Sequence, residues 1–273
     1  MSCQRLLVVL LLITSPGVFA QVPSSRPSID ALVQVLREGD ESAKEAIVVR
    51  FSGLPPGMVD DRGIRALSEE LDKLTEESIQ RGILIAKGRA PANRSGEYDS
   101  LVTDVLAQQR NPIAIPVLVR NVARGYSSFE ALVQFGEAAV PALVAGCRVD
   151  RGLNRHIRMG LDALEQMLER PAIAAPLSQN SRAQIRAVAR ERMANPVGEP
   201  DILDPDGRLG DPYVLAAAAY LAVATGDPDL RREATALIDN SVTVFQARRI
   251  DAGWIPRVTV LIQQALAKFP AKP

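Results

Sequence analysis

Two short apolar stretches carry a proline at the same place, and this feature limits the fold more than any other. The stretches are NPIAIPVLV, residues 111–119, and FGEAAVPALV, residues 135–144. Proline costs about 3 kcal/mol inside a helix, but in the first turn its missing N–H has no partner to lose. The pattern therefore predicts that Pro116 and Pro141 mark helix starts, and that Gly136 ends the helix before Pro141.

A second similarity follows each proline-bearing stretch, because FEALVQFGE at 129–137 matches LDALEQMLE at 161–169. The repeated unit is therefore a pair of helices with loops of variable length. Elsewhere short helical stretches alternate with breakers, and no stretch sustains the apolar and polar alternation of a strand. The sequence predicts an all-α fold in which neighbouring helices are antiparallel.

Polar residues and glycines at the predicted helix ends add detail. Ser28 and Asp40 are typical N-caps, and Gly39 is expected to end the first helix. Thr75 follows a run of acids, which indicates that a helix begins there. The final helix is expected over about residues 255–269.

The proline-bearing units resemble a known family. A glycine, small residues, VP or IP, and then a Leu-Val pair are similar to the core of the HEAT-like repeats of phycobilisome lyases. The similarity covers residues 111–169, whereas YSSFEALVQ lacks the VRxxAAxAL pattern of the family. The resemblance implies a right-handed α-solenoid of HEAT-like helical hairpins with a C-terminal helical cap, an armadillo-type fold. It also implies lyase or chaperone-like activity as an alternative function.

The chain divides into six predicted segments. They are a signal peptide (1–20), a flexible leader (21–27), a HEAT-like α-solenoid (28–195), a turn-rich joint (196–210), C-terminal helical hairpins (211–269) and a tail (270–273). The joint is polar and long for a connection between repeats, so it is expected to separate two parts. A helical hairpin is expected around Gly226, Asp227 and Pro228.

The N-terminus, MSCQRLLVVLLLITSPGVFA, is typical of a secretory signal peptide. Arg5 precedes the apolar run 6–13, and small residues precede the expected cleavage site after Ala20. The run is too short for a permanent membrane anchor. We therefore expect a protein exported to the periplasm or the extracellular space, with no membrane span after cleavage.

Few residues could support catalysis. His156 is the single histidine of the chain, which excludes two-histidine metal sites and limits catalytic triads. Cleavage would leave Cys147 as the single cysteine, so no internal disulfide is possible, and its apolar neighbours predict a buried side chain. We therefore expect His156 to have a structural or surface role and the protein to have no catalytic activity.

The segment DPDGRLGD, residues 204–211, suggests calcium binding because Asp204, Asp206 and Asp211 flank a glycine. The EF-hand pattern fails, since placing Gly207 at the sixth position puts uncharged residues at the first and twelfth. Turns favour the same residue types. We expect no cofactor, and metal binding by this segment stays open.

Arginine is unevenly distributed in a chain whose formal net charge is zero. Residues 28–80 hold twelve acidic and six basic residues, whereas residues 148–192 hold nine arginines and five acidic residues. Arginines four residues apart lie on one face of a helix. The possible partner-binding residues are Arg151, Arg155, Arg158, Arg182, Arg186 and Arg190. A solvated helix face with local ion pairs is the alternative to a binding surface.

These features predict an exported scaffold that binds an unidentified protein or peptide partner. The zero net charge gives no reason to expect nucleic acid as a partner. Two alternatives stay open: an enzyme or lyase-like chaperone, and a binder of an anionic ligand that uses the arginine stripe.

Overall fold

The computed structural model describes residues 28–86, 97–123, 126–148, 154–196 and 210–271. Within these ranges the chain forms α-helices and short 3-10 turns and contains no strand. The all-α prediction is therefore confirmed. The predicted signal peptide and leader, residues 197–209 of the joint, and the last two residues lie outside the described residues.

Helices follow one another closely along the described chain. The first seven are α1 (Ile29–Glu38), α2 (Glu41–Ser52), α3 (Asp61–Ala86), α4 (Glu97–Gln109), α5 (Ile115–Arg120), α6 (Tyr126–Phe135) and α7 (Val140–Arg148). The others are α8 (Asn154–Glu169), α9 (Pro171–Ala174), α10 (Gln179–Ala194), α11 (Pro212–Ala224), α12 (Pro228–Asp239), α13 (Ser241–Ala247) and α14 (Ile255–Lys268). The expected final helix and the hairpin formed by α11 and α12 are both present.

Side-chain caps explain where α1 and α2 begin. Ser28 Oγ accepts a hydrogen bond from the Ala31 N–H at 3.3 Å, and Asp40 Oδ1 accepts one from the Ala43 N–H at 2.8 Å. Such acceptors satisfy N–H groups that have no partner in the first turn. Gly39 follows the last residue of α1. The predicted starts of α1 and α2 and the predicted end of α1 are therefore confirmed.

The predicted positions of the prolines are also confirmed. Pro116 and Pro141 are each the second residue of a helix, α5 and α7. Each of these helices follows directly on a 3-10 turn, Pro112–Ala114 or Gly136–Ala139. Gly136 has a φ of 55°, in the left-handed region that favours glycine, and it directly follows α6.

A third copy of this arrangement, which the sequence analysis did not include, lies near the C-terminus. The 3-10 turn Ala252–Trp254 leads directly into α14, whose second residue is Pro256. Asp251 caps the turn by accepting a backbone N–H, as Asn111 does before α5. Three helix starts therefore share one local structure.

The expected helix start at Thr75 is wrong, because α3 runs through this position without a break. The Thr75 hydroxyl donates a hydrogen bond to the Leu71 carbonyl at 2.7 Å, and Thr75 is buried. Ile64, Leu67 and Leu71 form a continuous buried stripe on the same helix. Burial of that stripe outweighs the local preference of threonine for a helix start.

The helices pack in two series. In one, α1, α3, α5, α7, α10 and α12 each pack against the next member; in the other, α2, α4, α6, α8, α11 and α14 do the same. The series also pack against each other in pairs: α1 with α2, α3 with α4, α5 with α6, α7 with α8, α10 with α11, and α12 with α14. One cluster of buried apolar side chains extends from Leu32 to Ala265 through these contacts.

The stretch Tyr126–Arg148 is long and apolar enough to cross a membrane, with a mean hydropathy of 1.2. It contains α6 and α7, which belong to different series and are separated at Gly136. Leu132 and Leu143 are fully buried in the apolar cluster. The hydropathy of the stretch therefore comes in part from core positions.

Arginine side chains satisfy carbonyl groups at the ends of other helices. Arg192 is 2% exposed, and its Nε donates a hydrogen bond to the Cys147 carbonyl at 2.6 Å. Arg248 Nε donates likewise to the Met193 carbonyl at 2.7 Å. Carbonyl groups in the last turn have no partner within their own helix, so these arginines replace the missing hydrogen bonds.

Candidate functional site

The arginine stripe predicted on α10 faces other parts of the chain. Arg182 donates from Nε to the Leu177 carbonyl at 3.3 Å and from Nη2 to the Ala174 carbonyl at 2.5 Å. The guanidinium thus bridges backward to the turn between α9 and α10. Charge-assisted hydrogen bonds of this kind hold a side chain in place.

Arg186 and Arg190 connect α10 to α12. Arg186 Nε lies 3.7 Å from Asp227 Oδ2, and Arg190 Nε lies 3.0 Å from Glu233 Oε1. Both pairs are partly exposed, so each contributes about 0–1 kcal/mol to stability. The periodicity of these arginines is therefore explained by contacts between helices, and their charges are locally balanced.

Two of the remaining three predicted arginines lie in the other series of helices. Arg155 and Arg158 lie on α8, which is in the series opposite to that of α10. Arg151 lies outside the described residues. Arg155 and Arg158 therefore lie on a helix of the series opposite to the α10 stripe.

Arg158 belongs to a cluster with residues that the sequence analysis missed. Its guanidinium carbon lies 5.5 Å from the centre of the Tyr213 ring, and that of Arg257 lies 5.4 Å from the same ring. Arg257 is also 5.7 Å from the Trp254 ring, which meets Tyr213 edge to face at 5.1 Å. We call Arg158, Tyr213, Trp254 and Arg257 the arginine corner, and we include Arg155 because it lies three residues before Arg158 on α8.

Three acidic residues lie near the arginine corner. Asp162 Oδ2 is 3.7 Å from Arg158 Nε, beyond hydrogen-bond distance. Burial raises the pKa of Asp162 to about 6, and Arg158 partly offsets this shift. Asp211 accepts backbone N–H groups at the start of α11, and Asp251 accepts one before α14. Two of the three carboxylates are therefore committed to capping.

A cleft of about 370 Å³ lies between α4, α6 and the loop that follows α2. Its lining includes Pro56, Ala107, Arg110, Tyr126, Glu130 and Gln134. Tyr126 is 76% exposed and stacks on Phe129, with ring centres 6.3 Å apart. The cleft thus combines an exposed aromatic ring with apolar and polar walls, as protein-binding sites do.

Hydrogen bonds fix the walls of the cleft. Arg110 Nη2 donates to Gln134 Oε1 at 3.2 Å, and Arg170 donates to both carboxylate oxygens of Glu130 at 2.6 and 2.9 Å. The hydrogen bonds from Arg170 lower the pKa of Glu130, although burial opposes the shift. Gln108 holds the adjacent loop by donating to a backbone carbonyl. These hydrogen bonds hold the side chains that line the cleft in place.

Glu165 and Glu169 form a carboxyl pair between α8 and α14. Lys268 contacts Glu169, and its Nζ lies 3.7 Å from Glu165 Oε1. Burial, followed by the hydrogen bond with Glu169, raises the pKa of Glu165 to about 8. A pair that shares one proton could serve acid–base chemistry. Glu165 is 9% exposed, however, and Lys268 lies 5.6 Å from the Tyr220 ring, so the pair belongs to a helix interface.

The residues that the sequence offered for catalysis or metal binding are buried, half-buried or outside the described residues. Cys147 is 1% exposed, which confirms the predicted burial, and desolvation raises the pKa of its thiol to about 12. His156 is half-buried on α8. Among the described residues no group of three His, Cys, Asp or Glu side chains could hold a metal ion. Asp204 and Asp206 lie outside those residues.

Comparison with protein-family models, with curated proteins and with solved structures finds no match for this chain. A functional interpretation therefore depends on the geometry. The cleft at Tyr126 and the arginine corner are two places in the described residues where aromatic and charged side chains meet. The sequence signals for the corner were weak: Tyr213 follows a helix-starting Asp-Pro, and Trp254 is the single tryptophan.

Proposed function

We propose that the protein is an exported α-solenoid of HEAT-like hairpins that serves as a scaffold and binds a protein or peptide partner. The packing of helices in two series, with neighbours in contact along each, supports the solenoid. The three proline-bearing helix starts support a repeated unit. Repeats of this kind leave their outer surfaces available to partners.

The exposed Tyr126 ring at the cleft is the observation that carries this proposal. Tyrosine offers a large apolar surface and a hydroxyl at a small cost in conformational entropy, and it is common among the residues that dominate binding energy. The neighbouring walls supply the hydrogen-bonding groups of Arg110 and Gln134. A partner segment with an apolar side chain next to backbone amides fits this cleft.

A photo-crosslinking experiment tests the proposal. A photoreactive phenylalanine analogue replaces Tyr126, and in a matched control it replaces Val242, which is also exposed but lies on α13. Both proteins are irradiated in their native compartment. We expect one discrete crosslinked protein from the Tyr126 position and none from the control. No adduct at Tyr126, or the same adducts at both positions, would contradict the proposal.

The alternatives have less support. The carboxyl pair is the described group best suited to acid–base chemistry, and the burial of Glu165 favours a structural role over an enzymatic one. Arg186 and Arg190 already face carboxylates of α12, which weakens the case for anion binding by the α10 stripe. The scaffold is therefore the function that we favour.

A further inference from the structure

We propose that the arginine corner binds an acidic peptide segment. Arg158 and Arg257 approach the same ring, Tyr213, from α8 and α14, and Arg155 lies on α8 three residues before Arg158. Guanidinium groups stacked on rings keep the N–H groups of their edges free for carboxylates. This surface is distinct from the cleft at Tyr126, and its test does not depend on the cleft.

Guanidinium N–H groups of the arginine corner have no carboxylate at hydrogen-bond distance among the described residues, although Asp162, Asp211 and Asp251 match its formal charge. Arg155 and Arg257 are exposed and form no ion pair with a described residue. Arg158 has Asp162 at 3.7 Å, which leaves the distal N–H groups of its guanidinium without a carboxylate at hydrogen-bond distance. The carboxylates of an acidic partner would supply acceptors for these N–H groups.

Two helices begin at the arginine corner. Arg155 is the second residue of α8, and Arg257 is the third residue of α14. The first turn of a helix carries a partial positive charge and favours acidic side chains. The first turns of α8 and α14 contain no acidic residue. The first turns of both helices thus favour an anionic partner, next to the Asp251 carboxylate that caps the turn before α14.

The chemistry favours an acidic peptide over nucleic acid. Base stacking needs open ring faces, whereas the guanidiniums of Arg158 and Arg257 lie over the Tyr213 ring. The formal net charge of zero also supplies no general attraction for a phosphate backbone. Glutamate and aspartate side chains match the guanidinium edges in geometry and charge.

Fluorescence anisotropy of labelled octaglutamate with the purified protein tests the proposal. We expect binding at low salt that Arg257→Gln and Arg158→Gln each weaken about tenfold. Arg232→Gln is the matched control, because Arg232 is an exposed arginine of α12 and the change in net charge is the same. Binding should also weaken steeply as the salt concentration rises.

Three results of the binding measurements would overturn the proposal, and a fourth comes from competition with inorganic phosphate. The first three are the absence of octaglutamate binding at low salt, an equal loss of affinity in Arg232→Gln and Arg257→Gln, and tighter binding of labelled oligothymidine than of octaglutamate. Inorganic phosphate that displaces the peptide better than chloride at equal ionic strength would point to a free-anion site and would also contradict it. Far-UV circular dichroism of each variant verifies that the helices remain folded.

Discussion

Gly160 and Cys147 lie against each other where α8 crosses α7, and this contact allows a quantitative prediction. A Cβ atom added at Gly160 would lie 2.7 Å from the Cys147 sulfur, closer than packed atoms come. Overpacking costs about 1–3 kcal/mol. Replacing glycine by alanine inside a helix stabilises the helix by about 1 kcal/mol. We therefore expect Gly160→Ala to lower the free energy of unfolding by about 0–2 kcal/mol.

The partner substitution makes the prediction sharper. Cys147→Ala removes the buried sulfur and should cost about 1 kcal/mol alone. In the double variant the methyl group added at position 160 would occupy the vacated space, so stability should return close to that of the unsubstituted protein. The expected coupling between the two sites is about 1–3 kcal/mol.

Urea unfolding measures these free energies. Far-UV circular dichroism follows the helices and the fluorescence of Trp254 follows the C-terminal region; coincident transitions justify a two-state treatment. The close contact would be refuted if the effects of the two single substitutions on the free energy of unfolding add up to that of the double variant within about 0.5 kcal/mol. A Gly160→Ala variant more stable than the unsubstituted protein would refute it too, since only the gain in helix propensity would then remain.

Two further predictions concern titratable groups. Burial raises the pKa of the Cys147 thiol to about 12, so the thiol should not react with a disulfide reagent at about pH 8 in the folded protein. In denaturant the thiol should react fully. Rapid labelling of the folded protein would contradict the burial of Cys147. Burial of Glu165 raises its pKa from 4.5 to about 8. Between these pH values the folded state holds a proton that the unfolded state releases, so the free energy of unfolding should fall as pH rises through that window. Glu165→Gln should reduce this fall, which urea midpoints at pH 5 and pH 8 can measure; an unchanged fall would assign the pH dependence to another group.

Local chemistry determines which parts of the fold could be predicted from the sequence. Pro116, Pro141 and Ser28 mark helix starts because the cost of a proline and the gain from a cap depend on one turn of backbone. Thr75 misled the prediction because the decisive term, burial of the α3 stripe, comes from other helices. The final helix was expected, but the similarity of its start at Pro256 to the other two starts was missed, because its turn contains a tryptophan where the other two copies have small residues.

The candidate sites were less predictable for the same reason. The periodicity of Arg186 and Arg190 correctly places them on one face of α10, but it does not reveal that α12 supplies their carboxylates. The arginine corner joins Arg158, Tyr213 and Arg257, which are far apart in the chain and meet through the packing of α8, α11 and α14. No spacing rule within a single helix predicts such a meeting.

Two helix ends receive a hydrogen bond from an arginine that is synthesised later than the helix itself. The last turn of α7 receives its hydrogen bond from Arg192, which is 45 residues downstream, and the last turn of α10 receives one from Arg248, 55 residues downstream. Until those arginines have been synthesised, only water can hydrogen-bond to these carbonyl groups. The completed ends of α7 and α10 therefore depend on chain that is synthesised later, so a nascent chain stalled before Arg192 or Arg248 would expose unpaired carbonyl groups to chaperones and proteases.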